Sequence, residues 1–130
     1  MIGAVYHEPN RMPMRPRGDW SYWEGIVSGD SSATLWTNVH NYIGLPRVTN
    51  PPSGWLQNAN DPPWTTTVPF PLEPRFFPSY MAPPPSMHFR AQQSARMLDE
   101  DARITFDELL AYKHSTRLAA ADHFLLDLIA

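Results

Sequence analysis

The chain reads as an α+β fold in which short strands and a β-hairpin come first, a long proline-rich loop follows, and about three helices close the sequence. Three observations predict this order. All fifteen prolines, five tryptophans and six glycines precede Ser86, so the last third is free of the residues that break helices. Between Asp61 and Ser86 the prolines at 62, 63, 69, 71, 74, 78, 83, 84 and 85 exclude helix interior and central strand alike, because each removes an N–H and crowds the turn before it. Beyond Met87 the sequence acquires capping residues and apolar side chains at helical spacing.

The β-branched and aromatic runs at 22–27, 33–37, 47–49 and 54–60 are the candidate strands, all short. Asn50-Pro51-Pro52-Ser53-Gly54 supplies the turn of a hairpin joining 45–48 to 54–60. The connection over 61–86 is extended chain, and Trp64, Phe70, Phe76, Phe77 and Tyr80 are its apolar anchors, which favours wrapping over disorder. A first helix is expected over 90–98, ended by Asp99-Glu100-Asp101. Thr105 then caps a second. Glu108 stands three residues on as the capping-box partner, with Ile104 and Leu109 at staple positions. A third helix over 116–129 carries Leu118, Ala121, Leu125, Leu126 and Ile129 on one stripe. One partial domain over 1–130 results, with a strand and loop part (1–60), an extended connection (61–86) and a helical part (87–130). So few large apolar residues lie among the helices that the stripe is expected to dock on the remainder of a larger protein.

Composition excludes several classes. A formal charge of −3 leaves no basic surface for nucleic acid. No apolar run approaches the roughly 20 residues that span a bilayer, so no membrane partner is expected. The opening lacks the basic region and apolar core of a signal peptide. There is no cysteine, hence neither disulfide nor thiol ligand, and His7, His40, His88, His114 and His123 show no ligand spacing.

The polar run within Gly54-Trp55-Leu56-Gln57-Asn58-Ala59-Asn60-Asp61-Pro62-Pro63-Trp64 is the candidate site. In an extended segment Leu56, Asn58 and Asn60 share one side and Trp55, Gln57 and Ala59 the other. Asn60 is the last side chain before two prolines, where a neutral NH2 can meet a developing negative oxygen at any ordinary pH. The bland reading makes Asn58 and Asn60 turn residues. Trp20, Tyr22, Trp23 and Trp36 could line an apolar pocket, with ordinary core packing as the other reading.

The segment from Asn50 to Trp64 resembles the oxyanion-asparagine segment of the penicillin acylase family, in particular its acyl-homoserine-lactone acylase-like branch. Gly18-Asp19-Trp20-Ser21-Tyr22-Trp23, Gly29-Asp30-Ser31-Ser32-Ala33-Thr34-Leu35-Trp36 and Arg90-Ala91-Gln92-Gln93-Ser94-Ala95-Arg96-Met97-Leu98 are similar to that branch as well. So are Thr105-Phe106-Asp107-Glu108-Leu109 and Lys113-His114-Ser115-Thr116-Arg117. The resemblance implies an αββα N-terminal-nucleophile hydrolase: a precursor cuts itself, and the exposed serine attacks an amide with its own α-amine as base. It puts the oxyanion asparagine on Asn60, with Asn58 as the register alternative, and the active-site arginine on Arg90. It also implies a periplasmic or secreted parent and a structural calcium for which no carboxylate set here matches, Asp61 and Glu73 being the nearest offers.

Met1-Ile2-Gly3-Ala4-Val5 contains no such nucleophile. The chain is therefore expected to be an internal piece of the β-chain region, inactive alone, whose partners are the α-chain, the rest of the β-chain and a small acyl-amide substrate. The competing reading is a non-enzymatic module in which the proline-rich stretch serves as a polyproline ligand or a structural element, or an inactive truncated product.

Overall fold

The computed structural model describes residues 5–7 and 11–129. Residues 1–4, which carry most of the opening that lacks a nucleophile, lie outside the described residues, as do 8–10 and 130. The order of elements is β1 (Val5–His7), α1 (Trp20–Glu24), β2 (Arg47–Thr49), α2 (Phe89–Asp99), α3 (Phe106–Lys113) and α4 (Ala119–Ile129). Single 3-10 turns stand at Ser32–Thr34, Tyr42–Gly44, Pro63–Thr65 and Pro74–Phe76. The architecture is mixed and dominated by helix.

The first half differs from the expectation of successive strands. Residues 22–27 are not a strand. Asp19 accepts a hydrogen bond from the Tyr22 N–H and caps α1, so a local cap prevails over the strand preference of the aromatic residues. Residues 33–37 form no strand either, because the Ser31 side chain accepts from the Ala33 N–H and starts a 3-10 turn. The expected hairpin is replaced by a longer-range pairing. β2 is antiparallel to β1, with Val5 opposite Thr49, Tyr6 opposite Val48 and His7 opposite Arg47.

The chain does reverse where the prolines and Gly54 predict, with Asn50 at φ 49°, Gly54 at φ 77° and the Gly54 N–H bonded to the Pro51 carbonyl at 2.9 Å. Residues 54–60 then pair elsewhere. The Gln57 N–H donates to the Thr66 carbonyl at 2.8 Å and its Nε2 to the Thr65 carbonyl at 2.9 Å, so this run lies against the start of the proline-rich connection rather than β2. The alternation predicted for it survives without a ladder: Trp55 and Gln57 are buried, while Asn58 and Asn60 are exposed.

The proline-rich connection holds neither α-helix nor strand. Trp64 is its principal anchor, 2% exposed, with its Nε1 donating to the Pro83 carbonyl at 2.8 Å and its ring 5.2 Å from that of Phe77. Pro62, Pro63 and Thr65–Thr67 are buried around it, so this part of the stretch is packed inward and not offered as a free polyproline ligand. Phe70 and Phe76, expected as anchors, are instead exposed.

Helix α2 exceeds the expected 90–98 by one residue at each end. Thr105 caps α3 with the reciprocal capping box read from the sequence. Helix α4 starts at Ala119 rather than 116, because the Ser115 hydroxyl accepts from the Arg117 N–H and holds 115–117 outside the helix. Its stripe is largely unburied: only Ala119 is buried, and Leu125, Leu126 and Ile129 are 52–74% exposed. Arg96 of α2 bonds Asp122 of α4 at 3.0 Å and Phe89 meets Phe124 edge to face at 5.7 Å, which sets α4 beside α2.

Candidate active site

Residues 55–59 are laid along α2 and tied to it near both ends. The Trp55 Nε1 donates to Asp99 Oδ1 at 3.3 Å, and the Arg90 guanidinium donates to the Ala59 carbonyl at 2.6 Å. The lengths match. Four extended steps of about 3.4 Å and nine helical rises of about 1.5 Å both come to about 13.5 Å.

Asn60 lies just beyond the second tie. Its φ is 64°, in the left-handed region that asparagine tolerates better than most residues. The peptide unit before it is held from both sides, since the Ala59 carbonyl accepts from Arg90 and the Asn60 N–H donates to Asn58 Oδ1 at 2.9 Å. Asn58 is thus a turn residue, as the bland reading of the run has it. The Asn60 carboxamide forms no hydrogen bond with the described residues and lines a cavity of about 560 Å³ between the 58–60 bend, α2, the end of α3 and the start of α4.

Arg90, Gln93, Ser94 and Met97 present one helical face to this cavity. Lys113 and Arg117 line it from the other side, and its wall among the described residues includes no carboxylate. Arg117 is matched by Asp122, whose carboxyl is held below the ordinary range first by the Arg96 hydrogen bond and then by Arg117. Arg90 and Lys113 form no ion pair with the described residues. A fixed positive field at the mouth of the cavity favours a developing oxyanion and a neutral amine beside it.

Asn60 and Arg90 therefore stand at one cavity, and the arginine grips the backbone next to the asparagine rather than its side chain. The four aromatic residues do not gather there. The Arg15 guanidinium lies 4.5 Å from the Trp23 ring and 5.1 Å from the Trp36 ring, and Arg17 lies over Tyr22, so these rings serve as platforms for arginines. Trp20 shares with Asn60 a second cavity of about 330 Å³, walled also by Pro46, Pro63 and Met81.

The described residues contain no group of three or more carboxylates and histidines fit to hold a metal ion. Asp61 is spent on His88 and Glu73 on Arg75, so neither fits the implied calcium. Sequence reasoning missed the pairing of Asp61 with His88. The available signal was a helix whose N-cap residue is a histidine, a poor cap that needs an acceptor from elsewhere.

Residues 3–130 match the family model described as penicillin amidase. The chain belongs to the penicillin amidase family. Membership makes amide hydrolysis the chemistry to which the chain contributes. No helix among the described residues is long and apolar enough to cross a membrane.

Proposed function

We propose that this chain is a β-chain segment of an acylase that removes an acyl group from an amine, with acyl-homoserine lactones or β-lactam amides as substrate class, and that Asn60 is its oxyanion donor. The observation that carries the reading is that Asn60 lines a cavity with its carboxamide unbonded among the described residues, while the peptide before it is held by Arg90 and Asn58. A donor whose backbone is already held needs less reorganisation when the carbonyl oxygen becomes negative.

The nucleophile comes from the remainder of the acylase: a serine at a new chain start, whose α-amine, with an ordinary pKa of about 7.7–8.0, accepts the hydroxyl proton near neutrality. Arg90 holds the donor loop and adds positive charge. Exposed apolar residues on α3 and α4, among them Phe106, Leu126 and Leu128 at 72–79%, are the surface on which the rest of the α- and β-chains packs. The whole acylase is periplasmic or secreted.

The test is kinetic. In the acylase that carries this chain, Asn60→Ala should lower the acylation rate about 10²–10³-fold with little change in KM, as removal of one oxyanion donor does. Asn58→Ala should cost less, because it loosens the loop and leaves the donor in place. An unchanged rate for Asn60→Ala, or a larger loss for Asn58→Ala, overturns the assignment.

A further inference from the structure

Asp61, the residue after Asn60, has a side chain only 3% exposed, yet its one partner among the described residues is a histidine whose side chain is 73% exposed. Asp61 Oδ2 accepts from the His88 backbone N–H at 2.9 Å, and Oδ1 lies 2.8 Å from the His88 ring Nδ1. His88 is the N-cap of α2, and its own side chain makes no capping bond. A carboxylate 27 positions earlier in the chain thus caps the helix that bears Arg90.

Residues 59, 60 and 61 therefore face 88, 89 and 90 through a set of fixed contacts. Arg90 holds the Ala59 carbonyl, and His88 holds the Asp61 carboxylate by two atoms. Asn60, with its left-handed backbone, stands between the two anchors. An asparagine at such a φ keeps one direction only while its surroundings hold the backbone there. With the Arg90 contact alone the bend has a hinge on one side; with Asp61 fixed as well, both sides are set.

We infer that Asp61 and His88 are positioning residues that aim the Asn60 carboxamide at the reacting carbonyl. This rests on Asn60 being the donor. Both act through the Asn60 backbone and not on the reacting carbonyl. They act by fixing the second boundary of the bend, so their loss lets the donor swing by a fraction of an ångström to an ångström, a displacement that costs up to about 10²-fold in rate.

The experiment uses the whole acylase, with rates normalised to the nucleophile counted by a serine-directed covalent titrant. Asp61→Asn keeps the size of the side chain and weakens the two-atom grip, while His88→Ala removes an exposed ring and keeps the backbone bond. Both should lower kcat, by about tenfold or more for Asp61→Asn and by less for His88→Ala, with KM nearly unchanged. In an Asn60→Ala background Asp61→Asn should add almost nothing, because a positioning residue has nothing left to position. Asn60→Ala slow with Asp61→Asn at full kcat overturns the clamp and leaves the donor standing. An Asp61→Asn loss that persists undiminished in the Asn60→Ala background also overturns it. An Asn60→Ala enzyme at full rate removes the donor reading itself. Should Asp61→Asn yield no titratable nucleophile, His88→Ala decides alone, and an unchanged kcat there is the contrary result.

Discussion

At the scale of single residues, the contacts around the proposed donor concentrate on one peptide unit. Its carbonyl is gripped by a guanidinium and its N–H by a side-chain amide, so Asn60 has a fixed backbone and a free carboxamide. Arginine suits the grip because it cannot lose its charge and offers donors in a rigid fork. Arg90→Lys should keep the charge and lose the 2.6 Å contact, lowering kcat by about tenfold in steady-state assays of the acylase. An Arg90→Lys enzyme with wild-type kcat would mean that charge alone is used. Asn60 and Arg90 were brought together by resemblance, not by spacing, since nothing in a gap of thirty positions across a proline-rich loop says that two residues meet. That Asp61 is the acceptor for His88 was illegible for the same reason, although a histidine at the N-cap signals that some acceptor is needed.

At the scale of elements, helices were legible and strands were not. A capping box is a contact between residues three apart, so Thr105 and Glu108 announce α3 without knowledge of the rest. Thr105→Ala should cost about 1 kcal/mol of stability, measured by denaturant titration. Strands need partners. β2 pairs with residues forty or more positions earlier, and a nearby turn signal pointed to the wrong ones. The tie between α2 and α4 carries a pH signature. Asp122 is depressed in the folded chain by Arg96 first and Arg117 second. A depressed carboxyl contributes stability that is present above its unfolded value of about 3.8 and lost as pH falls through the lower folded value. Acid unfolding of α4 should therefore begin below that value, and Asp122→Asn should abolish this part of the acid dependence; an unaltered acid profile in the variant would refute the tie.

At the scale of the molecule, the buried residues are few and mostly small or proline-flanked, whereas α3 and α4 carry large apolar side chains on the surface. Burying such a side chain yields roughly 1.5–3 kcal/mol, so faces of this size are unfavourable in water unless something packs on them. Purified residues 1–130 should bind a hydrophobic dye strongly and hydrolyse neither acyl-homoserine lactones nor penicillins. Serine-dependent turnover by the isolated chain would contradict the view that the nucleophile lies elsewhere. The sequence pattern predicts an apolar stripe on α4, and among the described residues that stripe is largely exposed.

The most direct measurement is a crystal structure of the acylase with a tetrahedral phosphonate bound covalently to its nucleophile. Oxyanion donation by Asn60 predicts the phosphonate oxygen about 2.7–3.1 Å from Asn60 Nδ2, with the 59–61 bend still held by Arg90 and His88. An oxygen that takes its hydrogen bonds from other groups, with the Asn60 carboxamide turned away from it, would contradict that role.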